Sequence, residues 1–204
     1  MNHLIKNLII DFGGVLVDLD RSRCIDSFKS IGADCIEDML NPFYQRGLLM
    51  KLENGDITTD EFHAELRMIA GKDFSDSQID DAWNSFLVSI PSYKLDLLLK
   101  LRERYSVFLL SNTNEIHWEM SCERFFSYKN FKAKDFFEKI FLSYQMHQLK
   151  PSKEIFETVL METCIRPEET FFIDDSVANC KMAESLGIHT YTPKDQENWG
   201  HIFK

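Results

Sequence analysis

Apolar residues along the chain fall into two alternating patterns. Short uninterrupted runs at residues 8–10 (LII), 106–110 (SVFLL), 140–143 (IFLS), 170–173 (TFFI) and 188–191 (IHTY) have the length and the β-branched or aromatic content of strands buried on both faces. From the second run onward, a helical pattern separates each run from the next. Ile155, Phe156, Val159 and Leu160 make one stripe over residues 152–163 behind Pro151 and Ser152, and Val177, Cys180, Ala183 and Leu186 recur at helical spacing until Gly187 stops the helix. Strands that alternate with single helices predict an α/β fold with a doubly wound, Rossmann-like parallel sheet.

The first interval breaks this rhythm. Roughly ninety residues separate the first two runs, where a crossover needs only about a dozen. Thr58 with Glu61 and Ser75 with Gln78 have capping-box spacing, and after the second box Ile79, Ala82, Trp83, Phe86 and Leu87 share one helical face. The spacing therefore predicts an inserted helical bundle over residues 17–90, closed by Pro91, and a core assembled from residues 1–16 and 91–204.

Charge narrows the range of partners. The chain has 204 residues, which allow one sizeable core plus a smaller insertion, and its net charge of −10 comes without any basic block. Such a field repels polyanions, so nucleic acid is not expected as a partner, whereas a small anion can bind where local donors and a metal reverse the potential. The five cysteines have neither zinc-type spacing nor an even count, and no apolar run reaches membrane-spanning length. The expectation is a cytoplasmic protein, a monomer or small homo-oligomer, with no membrane partner.

In an open parallel sheet, ligands gather beyond the carboxyl ends of the strands, and there the sequence places its chemistry. Asp11 follows the first run, Ser111, Asn112, Thr113 and Asn114 the second, Lys150 and Pro151 the third, and Asp174 and Asp175 the fourth. Together these supply a carboxylate nucleophile, hard oxygen ligands for Mg2+, and an ammonium and a hydroxyl for phosphate oxygens. Taken singly, each acid has an ordinary reading as a helix cap or turn residue.

The stretches "IIDFGGVLVD", "LLSNTN", "LKPSKEIF" and "FFIDDSVANCKMAESLGI" resemble, in order, the four motifs of the haloacid dehalogenase-like (HAD) hydrolase superfamily. The insertion lies where that superfamily carries a helical cap, and "LENGDITTDEF" is similar to cap sequences of its sugar phosphatases. The resemblance implies Asp11 as nucleophile and metal ligand, the Gly13 carbonyl and Asp175 as further Mg2+ ligands, and Asp174 as their outer support. It also implies that Ser111, Lys150 and the Asn112 backbone amide bind phosphate, with Lys150 part of the catalytic machinery. Asn179 stands where many members have an aspartate, so no direct ligand is expected there.

Most phosphatases of the superfamily carry a second acid two residues after the nucleophile. Here that position is Gly13, a pattern that resembles the α-D-glucose-1-phosphate phosphatase group. The expected function is hydrolysis of a small sugar phosphate, with an anomeric ester favoured because its leaving group needs a proton least. The alternatives are a non-catalytic phosphate-binding module and a metal-free 2-haloacid dehalogenase. His117 could reach the pocket as a substitute acid, although a partly exposed helix histidine is the favoured reading. Glu53, Asp56 and His63 could hold sugar hydroxyls, Asp18 and Asp20 read as hinge residues, and Trp83, Phe86, Phe125 and Phe126 read as core.

Overall fold

The computed structural model describes residues 4–40, 47–194 and 197–203, so residues 1–3 of the expected core and 41–46 of the expected bundle lie outside the described residues. In chain order the elements begin with β1 (Asn7–Ile10), the two-residue β2 (Asp18–Leu19), α1 (Arg21–Ile31), α2 (Ile36–Met39), α3 (Leu48–Asn54), α4 (Thr59–Ala70) and α5 (Asp76–Asn84). There follow β3 (Leu87–Ser89), α6 (Ser92–Arg102), β4 (Ser106–Ser111), α7 (Glu115–Arg124), α8 (Ala133–Phe136), β5 (Lys139–Leu142) and α9 (Ser143–Met146). The chain closes through α10 (Lys153–Thr163), β6 (Thr170–Ile173), α11 (Val177–Ser185) and β7 (His189–Tyr191).

Five strands form one parallel sheet in the order β5-β4-β1-β6-β7. The side-chain alternation of β1 explains its central place. Leu8 and Ile10 pack with Val107, Leu109 and Ile173 on one face, while Ile9 packs with Phe108, Leu110 and Phe172 on the other. Burial on both faces follows, and the chain winds outward from β1 in both directions, which makes its carboxyl end the switch point of the sheet.

The helical insertion has a core of its own, built around Phe28, Phe62, Leu66, Ile79 and Trp83. Both anticipated capping boxes are formed: the Thr58 and Ser75 hydroxyls accept from the Glu61 and Gln78 N–H groups, and the Thr58 and Ser75 N–H groups donate to the Glu61 and Gln78 side chains. At the base of the insertion β2 pairs antiparallel with β3, a ribbon too short to leave any periodicity in the sequence. Asp18, read as a hinge residue, lies in that ribbon and is held by the buried ammonium of Lys94 at 3.3 Å. Two apolar positions differ from the sequence pattern. Val177 is 56% exposed at the first turn of α11, and β7 is only partly buried because it forms the sheet edge.

The insertion is docked on the sheet domain at the end of α3. The Ser143 hydroxyl, at the start of α9, donates to the Glu53 carbonyl at 2.6 Å, and the His147 ring bonds the Asn54 carbonyl at 3.2 Å. Gly55 ends the helix with φ 72°, and a Cβ there would lie 2.1 Å from the Tyr144 carbonyl oxygen. Only glycine satisfies both conditions. Gly55→Ala is therefore expected to lower stability by at least about 1–2 kcal/mol, read as a drop in the urea midpoint at unchanged slope.

Candidate active site

Parallel register brings three strand ends level. Ile10 pairs with Leu109 on one side and Ile173 on the other, so the next residues along, Leu110, Asp11 and Asp174, stand side by side. Lys150 spans all three. Its ammonium donates to Asp11 at 2.7 Å, to Asp174 at 2.6 Å and to the Leu110 carbonyl at 2.9 Å, which occupies its three protons. The lysine is placed by Asn112, whose side-chain amide donates to the Lys150 carbonyl and accepts from its N–H, each at 2.9 Å. The side chain of Asn112 thus acts as a backbone clamp, a use the sequence left unmarked.

Asp174 is completely buried and fully engaged. Its Oδ1 accepts from the Ser176 N–H at 2.8 Å, its Oδ2 takes Lys150, and the Asn179 amide lies 3.0 Å from both oxygens. Asn179 therefore orients the acid from the first turn of α11. The sequence marked the position through its place in the fourth motif, but not this role. Asp175 comes close because Gly14 has no side chain. With φ 73° at Gly14, a Cβ would sit 2.2 Å from the Asp175 Oδ2.

Carboxylate oxygens of Asp11, Asp174 and Asp175 lie within 4.8 Å of one another, a hard-oxygen set that fits a divalent cation. The electrostatics agree. Burial, countered by Lys150 and reinforced by Asp174 and Asp175, pushes the Asp11 carboxyl up to about 7. Burial also opposes the charge on Lys150, yet Asp11 and Asp174 hold its ammonium above the usual lysine value. Three acids against one ammonium leave local negative charge for a cation to neutralise.

Ser111 is buried at the end of β4, with its hydroxyl donating weakly to the Asn112 carbonyl at 3.3 Å. Gly13 is occupied from above, since a Cβ there would meet the Leu19 side chain at 3.3 Å. An acid at position 13 would require that leucine side chain to shift. Leu19, Asn112 and Lys150 also line a cleft of about 810 Å³ between sheet and insertion, together with Glu53, Trp83 and Phe86. Asp11 lies one hydrogen bond behind this surface, through Lys150.

The secondary candidates separate cleanly. His63 is buried against Asp80 at 2.7 Å and Asp76 at 3.1 Å, and Asp56 is exposed beside Asn54, so of the three hydroxyl-binding candidates only Glu53 lines the cleft. Phe126 is core, stacked on Phe12 at 5.8 Å. His117 is neither a pocket acid nor half exposed. It is buried with Nε2 donating to the Trp83 carbonyl at 3.0 Å, Nδ1 accepting from Asn114, and its ring stacked on Trp83 at 4.5 Å. Burial pulls its pKa down to about 4, so it is neutral at pH 7 and cannot serve as the acid.

This histidine makes stability depend on pH. The unfolded chain binds its proton below about pH 6.5 and the folded chain only near 4, so stability falls on acidification between those values. The loss from this one group should reach roughly 2 kcal/mol between about pH 7.5 and about pH 5. His117→Gln, which keeps a donor but cannot titrate, should be less acid-sensitive by that amount, as measured by urea unfolding at the two pH values.

Comparison with known proteins agrees with this geometry. A profile of the haloacid dehalogenase-like hydrolases matches residues 95–192. A D-ribitol-5-phosphate phosphatase of Bacteroides thetaiotaomicron is 35% identical over 196 residues, which cover 96% of this chain and 95% of the relative. A HAD family enzyme from Bacteroides thetaiotaomicron, crystallised with magnesium and inorganic phosphate, is 57% identical with a TM-score of 0.95, over 98% of this chain and all of that one. A HAD-like hydrolase from Porphyromonas gingivalis is 40% identical with a TM-score of 0.92, over 98% and 96% of the two chains. With the acid cluster at the switch point of the sheet and likeness over nearly its whole length, the chain belongs to the haloacid dehalogenase-like hydrolases.

Proposed function

We propose that this protein is a Mg2+-dependent phosphatase that hydrolyses a small phosphorylated sugar or sugar alcohol through a covalent phosphoryl-Asp11 intermediate. The observation that carries the reading is Asp11 itself, a buried carboxylate fixed by Lys150 at the switch point of the sheet, within reach of two further acids. In this reading Asp11, Asp175 and the Gly13 carbonyl hold the cation, and Asp174 supports them through Lys150 and Asn179. Bound there, Mg2+ offsets the charge of the phosphate and keeps Asp11 ionised. Lys150, the Ser111 hydroxyl and the Asn112 N–H receive the remaining phosphate oxygens. An Asp11 oxygen attacks phosphorus, the ester oxygen departs, and water then releases phosphate and restores the carboxylate.

The division of labour belongs to the same proposal. Residues 1–16 and 91–204 hold the phosphoryl group, and residues 17–90 form a cap that meets the rest of the substrate. A cleft of about 810 Å³ is of the size that takes a small metabolite. The likeness to a D-ribitol-5-phosphate phosphatase supports a polyol or sugar carrying a primary phosphate. Gly13 supports the anomeric ester expected from the sequence, and both belong in one panel.

Phosphate release should be measured with ribitol 5-phosphate, a hexose 6-phosphate and glucose 1-phosphate, with Mg2+ and with EDTA. The expected result is turnover that needs Mg2+, falls at least about 1,000-fold in Asp11→Asn, and leaves phosphate on the Asp11 peptide after acid quench. Turnover that survives EDTA or the asparagine substitution would refute the mechanism. Preference for the anomeric ester would give Gly13 its expected meaning, and preference for a primary ester would require a proton donor from elsewhere.

A further inference from the structure

Resting on the phosphatase reading above, we propose that Glu53, from the cap, is the proton donor to the leaving oxygen, in place of the acid that position 13 lacks. Four observations converge on this residue. Glu53 shares the cleft with Asn112 and with Lys150, whose ammonium is bonded to Asp11. Its backbone is anchored to the sheet domain by the Ser143 hydroxyl on its own carbonyl, by His147 on the Asn54 carbonyl and by the fit of Gly55 against Tyr144, so its place does not depend on the cap as a loose body. Among the described residues, no hydrogen bond or ion pair engages its carboxyl group. On the Gly13 side, the Leu19 side chain stands 3.3 Å from where a Cβ would be, so an apolar group takes the place next to position 13.

A packing role does not explain these facts. The end of α3 is made by the Gly55 backbone, which donates to the Leu52 and Lys51 carbonyls and needs nothing from the Glu53 side chain. Glu53 is only partly buried at the wall of the cleft, and a carboxyl group without a hydrogen-bonding partner among the described residues gains nothing there from packing that an apolar side chain would not supply. Burial raises its pKa to about 7, which leaves a large protonated fraction at neutral pH. The charged groups that share the cleft are Lys150, Arg21 and Asp38, and Arg21 is engaged with the Leu40 and Glu37 carbonyls.

The step balances without a co-reactant. As the Asp11 oxygen bonds to phosphorus and the ester P–O bond breaks, the Glu53 proton passes to the departing oxygen, which leaves as the alcohol. The resulting Glu53 carboxylate then takes a proton from the water that attacks the phosphoryl-aspartate. That attack breaks the bond between Asp11 and phosphorus, releases phosphate and returns Glu53 to its acid form.

Two alkyl phosphates without hydroxyl groups separate proton donation from substrate binding. Ethyl phosphate needs a proton on its leaving oxygen, and 2,2,2-trifluoroethyl phosphate needs one far less. The full-length protein with Mg2+ should be compared with Glu53→Gln, which keeps size and polarity but has no transferable acid proton. The ratio of kcat/KM for the trifluoroethyl over the ethyl ester should rise about 100-fold in the variant, in the range of general acid catalysis. The wild type should also lose rate with ethyl phosphate as pH rises above about 7, and the variant should lack that limb. An unchanged ratio, or the same alkaline limb in both proteins, would overturn the assignment to Glu53 while leaving the phosphatase reading intact. A wild type inactive on every phosphomonoester would overturn both.

Discussion

The structure turns on a buried ammonium placed between two buried carboxylates. Bringing charges out of water costs several kcal/mol per ion, and the cost is offset only where each charge meets its partners at close range. Lys150 meets that condition through Asp11, Asp174 and a main-chain carbonyl, all reached because β4, β1 and β6 end level in parallel register. Slipping either neighbouring strand by one residue would turn its acceptor away and strand the lysine. The need to satisfy this one side chain therefore constrains the register at the centre of the sheet. The Asn112 clamp and the Asn179 bond to Asp174 serve the same end, since one fixes the backbone of the lysine and the other restricts one of its partners.

The triad also leaves a surplus of negative charge beside the position where a phosphate would enter. Gly14 lets Asp175 approach to a distance no other residue would permit, and the third acid raises the pKa of Asp11 further. Such a site is unfavourable when empty of cations and becomes favourable with one, which is how a −10 chain can bind an anion. The net charge governs the long-range field, and the local balance of acids and cation governs the pocket.

The seam between insertion and sheet domain combines apolar contacts of Ile116 and Phe86 with a polar network. Trp83, Asn114 and His117 form a closed hydrogen-bonded and stacked group, and the Ser143 hydroxyl joins Thr113 to Glu53 across the same boundary. Buried polar groups that satisfy one another fix a unique arrangement, because any displacement leaves several of them without partners. His117 contributes as a neutral ring in this network, so its burial is a structural fact with an electrostatic consequence, and it ties α7 to the insertion through Trp83.

The sequence by itself determined the alternation of strands and helices, the place of the insertion, both capping boxes, and the acids and lysine that follow each strand, because these depend on local periodicity and on the rule that parallel strands point their carboxyl ends one way. Three matters were decided only by tertiary structure. The β2 and β3 ribbon is too short for a periodic signal, and pairing across about seventy residues cannot be read from either half alone. The roles of Asn112 and Ser143 are non-local hydrogen bonds, invisible until the chain is folded, and that of Asn179 depends on the turn that folds it back on Asp174. The fate of His117 and Glu53 depended on which faces of the insertion met the sheet domain, since the same spacing on a helix is compatible with burial, exposure or a cleft. Local order is written in neighbouring residues, whereas burial and pKa are set by whatever the rest of the chain brings alongside.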